Sequence, residues 1–316
     1  MHDAIRPFLE AQGFLVLDGG LATQLEERGF DLAGGLWSAE LLVREPAAIA
    51  AVHEDYFRAG ADCATTASYQ ASLPGFAARG VGAREAERLI ASSVELARAA
   101  RDRFWADRTS RAGRLRPIVA ASVGPFAAYL ADGSEYTGEY GATEDELVDF
   151  HRARWHQLAA SGADLLALET VPNAVEARAY ARLFAETPDV RAWVGFCCRD
   201  EARLSDGSRL AESAAPLAEL EQVVAIGVNC TAPRFVPALL RELRRVTDKP
   251  LVAYPNSGER FDPDRNAWSG ERAPRDFGAD APAWRDRGAA LIGGCCRTGP
   301  EHVRLVRRAL GAAMTG

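Results

Sequence analysis

No apolar run in this 316-residue sequence approaches the roughly 18 residues a membrane-spanning helix needs, so no membrane role is expected. The N-terminal stretch Met1 to Gln12 carries both charge signs and a proline, and it lacks the apolar core of a signal peptide. A cytoplasmic protein is expected. An excess of basic charge is also missing. The formal net charge is −7, whereas a nucleic-acid surface would want a clustered basic face. Arg-rich stretches such as Arg98 to Arg116 and Arg241 to Arg245 are interleaved with acids or with apolar residues at helical spacing, and they read as solvated helix faces. No G-x-G-x-x-G follows the first apolar run, which removes the main signature of a dinucleotide fold. The H-x-H pattern of hydrolytic zinc barrels is absent as well.

What remains is a globular composition. Hydrophobic residues make up 48% of the chain, enough for a sizeable core, and charged residues make up 26%, too few for a disordered tail. Short β-branched or apolar runs recur, each followed by a polar loop and a helical pattern. They are Phe14 to Leu17, Asp62 to Ala67, Pro117 to Val123, Asp164 to Leu168, Ala192 to Phe196, Val223 to Val228, Pro250 to Ala253 and Ala289 to Ile292. Continuous apolar strands suit a parallel sheet covered on both faces. Helical stretches fall between them, and Thr143 with Glu146 has capping-box spacing. Gly60, Gly162 and Gly288 each sit where a helix runs into the next strand, as left-handed caps would. Gly227 has a similar context but lies inside a strand. Eight alternating units predict an α/β protein, a (β/α)8 TIM barrel, with residues 1–316 forming a single domain.

In that fold the chemistry sits on the loops after the strands. Those loops carry Asp18-Gly19-Gly20, Thr66 to Gln70, Gly124-Pro125, Glu169-Thr170, Cys197-Cys198, Asn229-Cys230, Tyr254 to Glu259 and Gly293-Gly294-Cys295-Cys296. Cys230, Cys295 and Cys296 could share one zinc ion across the barrel mouth, or they could be three buried thiols. Neighbouring strand residues point to opposite faces, but Gly293 and Gly294 would let the backbone leave the strand before the vicinal pair. Cys197 and Cys198 read as small core and loop residues, with substitute ligands or a redox pair as alternatives, and Cys63 as buried packing. The histidines His2, His53, His151, His156 and His302 fall in helices or at the terminus and suit surface or packing roles. Two segments, Gly124 to Gly141 and Asn256 to Asp276, are too long for connectors. The first interleaves Phe126, Tyr129, Tyr136 and Tyr140 with Asp132, Glu135 and Glu139, and the second holds Phe261 and Trp268 among many charges. Aromatic faces among carboxylates suit a cationic ligand, though such loops also make oligomer contacts.

These strand-end segments, together with Gly35 to Leu42 and Ala131 to Tyr136, resemble the homocysteine S-methyltransferases from the first strand to the last. The Asn-Cys and Gly-Gly-Cys-Cys motifs are the most specific part. The resemblance implies that Cys230, Cys295 and Cys296 hold Zn2+ and that homocysteine sulfur takes the open position. It further implies that Asp18 and Glu169 hold the amino-acid part of homocysteine, with Gly19, Gly20 and Thr66 nearby and Asn229 and Asn256 lining the site. The Asp-Gly-Ser-Glu-Tyr stretch points to the branch using a sulfonium donor, S-methylmethionine or S-adenosylmethionine, and makes homocysteine and that donor the expected small-molecule partners. A betaine or folate-cobalamin donor, or a thiol-based redox or zinc-sensing protein, are the competing readings.

Overall fold

The computed structural model describes residues 3–32, 37–262, 267–270 and 274–312. All eight expected strands form, with small shifts at their ends. They are β1 (Leu15–Val16), β2 (Cys63–Thr65), β3 (Ile118–Val123), β4 (Leu165–Val171), β5 (Ala192–Phe196), β6 (Val223–Asn229), β7 (Leu251–Tyr254) and, after a short antiparallel hairpin of β8 (Arg260–Asp262) and β9 (Ala267–Ser269), β10 (Ala289–Ile292). The eight parallel strands pair in the order β1-β10-β7-β6-β5-β4-β3-β2. A single parallel bridge between Leu17 and Cys63 joins the two ends of that order, leaving a nearly closed barrel. Asp62 reinforces this seam: its carboxylate accepts from the Val16 amide at 3.0 Å and from Gln12 at 2.8 Å, and it pairs with Arg114 and Arg307.

Local chemistry explains the element boundaries. The helix Glu144–Ala159 starts at a complete capping box, with the Glu146 amide donating to the Thr143 hydroxyl and the Thr143 amide donating to the Glu146 carboxylate. Gly60, Gly162 and Gly288 all take positive φ, as caps that a side chain would strain. Gly227 does something else. A Cβ there would lie 1.8 Å from the Val252 carbonyl oxygen, so this position in β6 is glycine because the neighbouring strand leaves no room.

Alternation along the strands sorts the core into two layers. Val119, Ala121, Leu166, Leu168, Val194 and Ile226 join the layer beneath the helices. Leu15, Ile118, Ala120, Leu165, Ala167, Trp193, Ala225 and Leu291 fill the barrel interior, where Ile5 and Phe8 of the N-terminal segment also pack. Each of the valine, leucine and isoleucine side chains among them stabilises the fold by about 1.5–3 kcal/mol when fully buried. Cys63 belongs to the interior layer, as packing.

Two expectations need correction. The arginine-rich stretches are not uniformly solvated: Arg101 is buried against Asp102 and Asp164, Arg114 donates to the Gly60 and Ala61 carbonyls, and Arg244 donates to those of Thr247, Lys249 and Gly288. These guanidinium groups satisfy carboxylates and carbonyls distant in sequence, which charge interleaving cannot reveal. The two long segments are also less irregular than expected, since the first holds a helix at Phe126–Leu130 and a 3-10 turn at Ser134–Tyr136, and the second holds β8 and β9. His2, residues 35–36 of the Gly35 to Leu42 match, and residues 263–266 and 271–273 of the second segment lie outside the described residues. No helix among the described residues is long and apolar enough to cross a membrane.

Candidate active site

Following the inward side of each strand to its C-terminal end changes the chemistry from apolar to polar. The series Cys63-Thr65, Ala120-Ser122, Ala167-Glu169, Gly227-Asn229 and Val252-Tyr254 all keep the same period of two. Thr65, Ser122, Glu169, Asn229 and Tyr254 thereby line one cavity at the barrel mouth, together with Asp18, Gly19, Gly20, Thr66, Cys230, Cys295 and Cys296. Of the expected site residues only Asn256 lies elsewhere, in an adjoining cavity with Arg199, Arg234 and Glu259. Thr65, Ser122 and Tyr254 were not singled out from sequence, and the inward period-two continuation of their strands is the signal that finds them.

Two carboxylates meet on one side of this cavity. Asp18 accepts from the Thr65 amide at 2.7 Å and from the Thr65 hydroxyl at 3.0 Å. Burial drives its carboxyl well above the usual range, the Thr65 contact opposes that, and the charge of Glu169 adds to it. Glu169 accepts from the Ser122 hydroxyl at 2.5 Å, and burial raises it to about 7. Thr66 lines the cavity as expected of it, but the residue that meets Asp18 is its neighbour Thr65. The Thr66 hydroxyl accepts from the Ser122 amide at 3.0 Å and bonds Ser68, so Thr66 braces β3 while Thr65 meets the acid.

Because the native state holds a proton on Glu169 that the unfolded chain releases above about 4.5, stability from this group is present at low pH and lost as pH rises through about 7. Urea titrations of substrate-free protein at about pH 5 and about pH 7.5 are expected to show this. Glu169→Gln should lose about 2 kcal/mol less across that interval than the wild type. An identical loss in both would mean that Glu169 does not titrate there.

The three thiols line the same cavity. Cys230, Cys295 and Cys296 have sulfurs within 4.8 Å of one another, with Cys230 and Cys296 only 3.2 Å apart. Hydrogen bonds to the other two thiols, then burial, raise Cys230; Cys295 is raised, against an opposing bond from Cys230, by its bond to Cys296 and by burial; and hydrogen bonds from those two lower Cys296. Three soft donors at this spacing, with no carboxylate among them and a cavity on one side, fit a thiophilic metal such as zinc with one position open to a ligand.

Backbone in the sparsely populated left-handed region surrounds this cluster. Cys230 has φ 48°, Arg297 φ 64° and Thr170 φ 61°, a costly setting for a β-branched residue. Asn229 holds Thr170 there from both ends: its Oδ1 accepts from the Thr170 amide at 2.7 Å and its Nδ2 donates to the Thr170 hydroxyl at 2.8 Å. The same Nδ2 lies 3.8 Å from Cys295 Sγ, so Asn229 ties the end of β4 to the thiols.

Gly293 and Gly294 do carry the vicinal pair out of β10, but not through unusual φ, since neither is among the positive-φ glycines. They supply space. A Cβ on Gly293 would lie 2.5 Å from Leu17 Cβ, and one on Gly294 would lie 2.3 Å from Thr298 Oγ1 and 2.7 Å from Thr298 Cβ. Thr298 cannot easily yield, because its hydroxyl donates to the Cys295 carbonyl at 2.7 Å. Gly294→Ala is therefore expected to displace Cys295 and to weaken retention of a bound metal against a chelator at least about tenfold, as loss of an ordering partner does. Gly311→Ala, which meets nothing within 4 Å, is the control. Equal retention in both variants would remove the steric argument.

Cys197 and Cys198 stay apart from the cluster. They line the adjoining cavity, with Cys197 donating to the Cys230 carbonyl at 3.6 Å, and burial raises both thiols. No histidine lines the main cavity. His53, His151 and His302 are buried in helix packing, and His156 pairs with Glu186 at the surface. His151 belongs to a buried network that fixes the first long segment. Glu176 accepts from His151 at 2.7 Å, from the Phe126 amide at 2.7 Å and from the Tyr140 hydroxyl, and Arg154 donates to the Gly124 carbonyl at 2.6 Å. That anchoring delivers Tyr136 to the thiols, its hydroxyl 3.5 Å from Cys230 Sγ and 3.8 Å from Cys296 Sγ.

Comparison with known proteins agrees with this arrangement. The family model described as homocysteine S-methyltransferase matches residues 15–310. A homocysteine S-methyltransferase of Bacillus subtilis is 50% identical over 300 residues, covering 95% of each chain. One from Escherichia coli is 48% identical over 310 residues, covering 97% of this chain and 98% of its own. The crystal structure of the homocysteine methyltransferase MmuM from Escherichia coli in its metallated form superposes with a TM-score of 0.86 at 47% identity, covering 98% of this chain and 99% of that one.

Proposed function

Because the chain belongs to the homocysteine S-methyltransferase family, we propose that the methyl group it places on homocysteine comes from a sulfonium donor, with Cys230, Cys295 and Cys296 holding a zinc ion. The methyl transfer to homocysteine, giving methionine, follows from the family itself. S-Methylmethionine or S-adenosylmethionine is the donor class this reading assigns. The observation that carries it is the three-thiol cluster opening onto an acidic cavity with no basic residue in its lining.

A zinc ion on three thiolates keeps a fourth, incoming thiol ionised at neutral pH. The chain's own residues do the rest. Asp18 and Glu169 receive the ammonium group of homocysteine, and the arriving charge favours the ionised form that burial alone disfavours. Thr65 and Ser122 hold those two carboxylates in place. Tyr136 and the Asn229–Thr170 pair fix the thiol side, and the buried lining excludes water. In the transfer, the acceptor sulfur's electron pair forms the new S–C bond. The donor's S–C bond breaks, its pair stays on the departing sulfur, and a neutral thioether leaves. Such a displacement needs alignment and no side-chain base during transfer.

The test is methionine formation by zinc-loaded protein from homocysteine, with S-methylmethionine, S-adenosylmethionine and betaine in parallel. Turnover with a sulfonium is the expected result. Turnover with betaine alone would overturn the donor assignment and leave the acceptor chemistry standing.

A further inference from the structure

Three carboxylates line the main cavity, and they are not equivalent. Asp18 and Glu169 feel one another's charge, and each is held by a hydroxyl from a neighbouring strand. Glu135 stands apart from that pair, on the segment after β3, beside the residue that touches the thiols. It is only 4% exposed, and its Oε2 has no hydrogen-bond partner at all. The charges acting on it are those of Asp132 and Cys296, both negative, and burial raises it to about 7. A buried carboxylate oxygen without a partner is costly unless a ligand completes it. The cavity it faces has no Lys, Arg or His in its lining, and Tyr69 and Tyr136 share that lining. Such a setting calls for a cation supplied from outside.

We propose that Glu135 is the group that receives the positively charged sulfur of the methyl donor and holds it against the three thiols, so that the cavity has two acidic subsites, one for each substrate. This rests on the sulfonium reading above. It assigns Asp18 and Glu169 to the acceptor's ammonium and Glu135 to the donor. The donor's charge vanishes as its methyl leaves, so Glu135 stabilises the bound donor more than the transition state. Its removal therefore raises donor KM and does not lower kcat.

The experiment compares S-methylmethionine with homoleucine, its uncharged carbon isostere, by calorimetry on zinc-loaded wild type and Glu135→Gln, with Glu135→Asp as the charge-retaining variant. The wild type is expected to prefer the sulfonium by roughly tenfold or more, the scale of one charge-assisted contact. Glu135→Gln should bring the two ligands within about twofold and Glu135→Asp should keep a measurable preference. Donor KM should rise in Glu135→Gln at least about tenfold, with kcat not lowered and with homocysteine KM and zinc content as in the wild type. A Glu135→Gln protein that uses S-methylmethionine with the full preference intact overturns the proposal alone. A raised homocysteine KM with donor KM unchanged also overturns it, by moving Glu135 to the acceptor. A wild type that turns over betaine but neither binds nor uses S-methylmethionine overturns the sulfonium reading, and the proposal falls with it.

Discussion

Alanine in place of Cys230, Cys295 or Cys296 is expected to leave a folded protein that holds no zinc and transfers methyl at least about a thousandfold more slowly. The three sulfurs lie within 4.8 Å of one another and no fourth protein donor of the same kind joins them among the described residues. Two thiolates cannot hold the ion against competition as three do, and the lost ligand also removes the charge that keeps an incoming thiol ionised. Zinc content by elemental analysis and methionine formation are the two readouts, with circular dichroism to confirm the fold. Cys197→Ala is the contrast. That thiol is buried in the adjoining cavity, where it donates to the Cys230 carbonyl, so its loss should spare zinc. An active variant without Cys295 and without zinc would defeat the metal assignment.

Glu169→Ala should weaken homocysteine binding by roughly thirtyfold to a hundredfold while leaving zinc in place, the cost of one charge-assisted contact in a dry site. The carboxylate lines the cavity and is held by Ser122, and the proposed ammonium subsite pairs it with Asp18, whose own position depends on Thr65. Because Glu169 titrates near 7, the wild-type affinity should fall as pH drops through that value, and the variant should lose this dependence. Isothermal titration of homocysteine at several pH values separates the two. An affinity unchanged by the substitution would remove Glu169 from the acceptor subsite.

Both predictions concern residues that a reading of strand ends picks out, and that success has a physical cause. A parallel strand buried on both faces must be apolar throughout, so the first Asp, Glu, Asn or Cys after an apolar run marks where the strand meets the mouth. Asp18, Glu169, Asn229 and Cys230 stand at such points, and Gly60, Gly162 and Gly288 mark the helix ends by the left-handed turn each makes. Chain order and local chemistry carry this information, so the eight units and the polar set at their ends were legible from the sequence.

Other features depend on which distant groups meet. That Thr65 and not Thr66 holds Asp18 follows from the direction a single strand residue faces. Nothing local says that Gly294 must be glycine because Thr298 crowds it, or that Asn256 belongs to the adjoining cavity. The partnerless Oε2 of Glu135 is the sharpest case. Its segment shows carboxylates among aromatics, but which of Asp132, Glu135 and Glu139 is buried depends on how Glu176, His151 and Arg154 pin that segment from other helices. The alternation of apolar and polar residues therefore settled the barrel and its reactive end. Burial and hydrogen-bond satisfaction are sums over neighbours far apart in the chain, so the pairing of Asp18 with Thr65, the gathering of the three thiols and the unsatisfied Oε2 of Glu135 were decided by the tertiary structure.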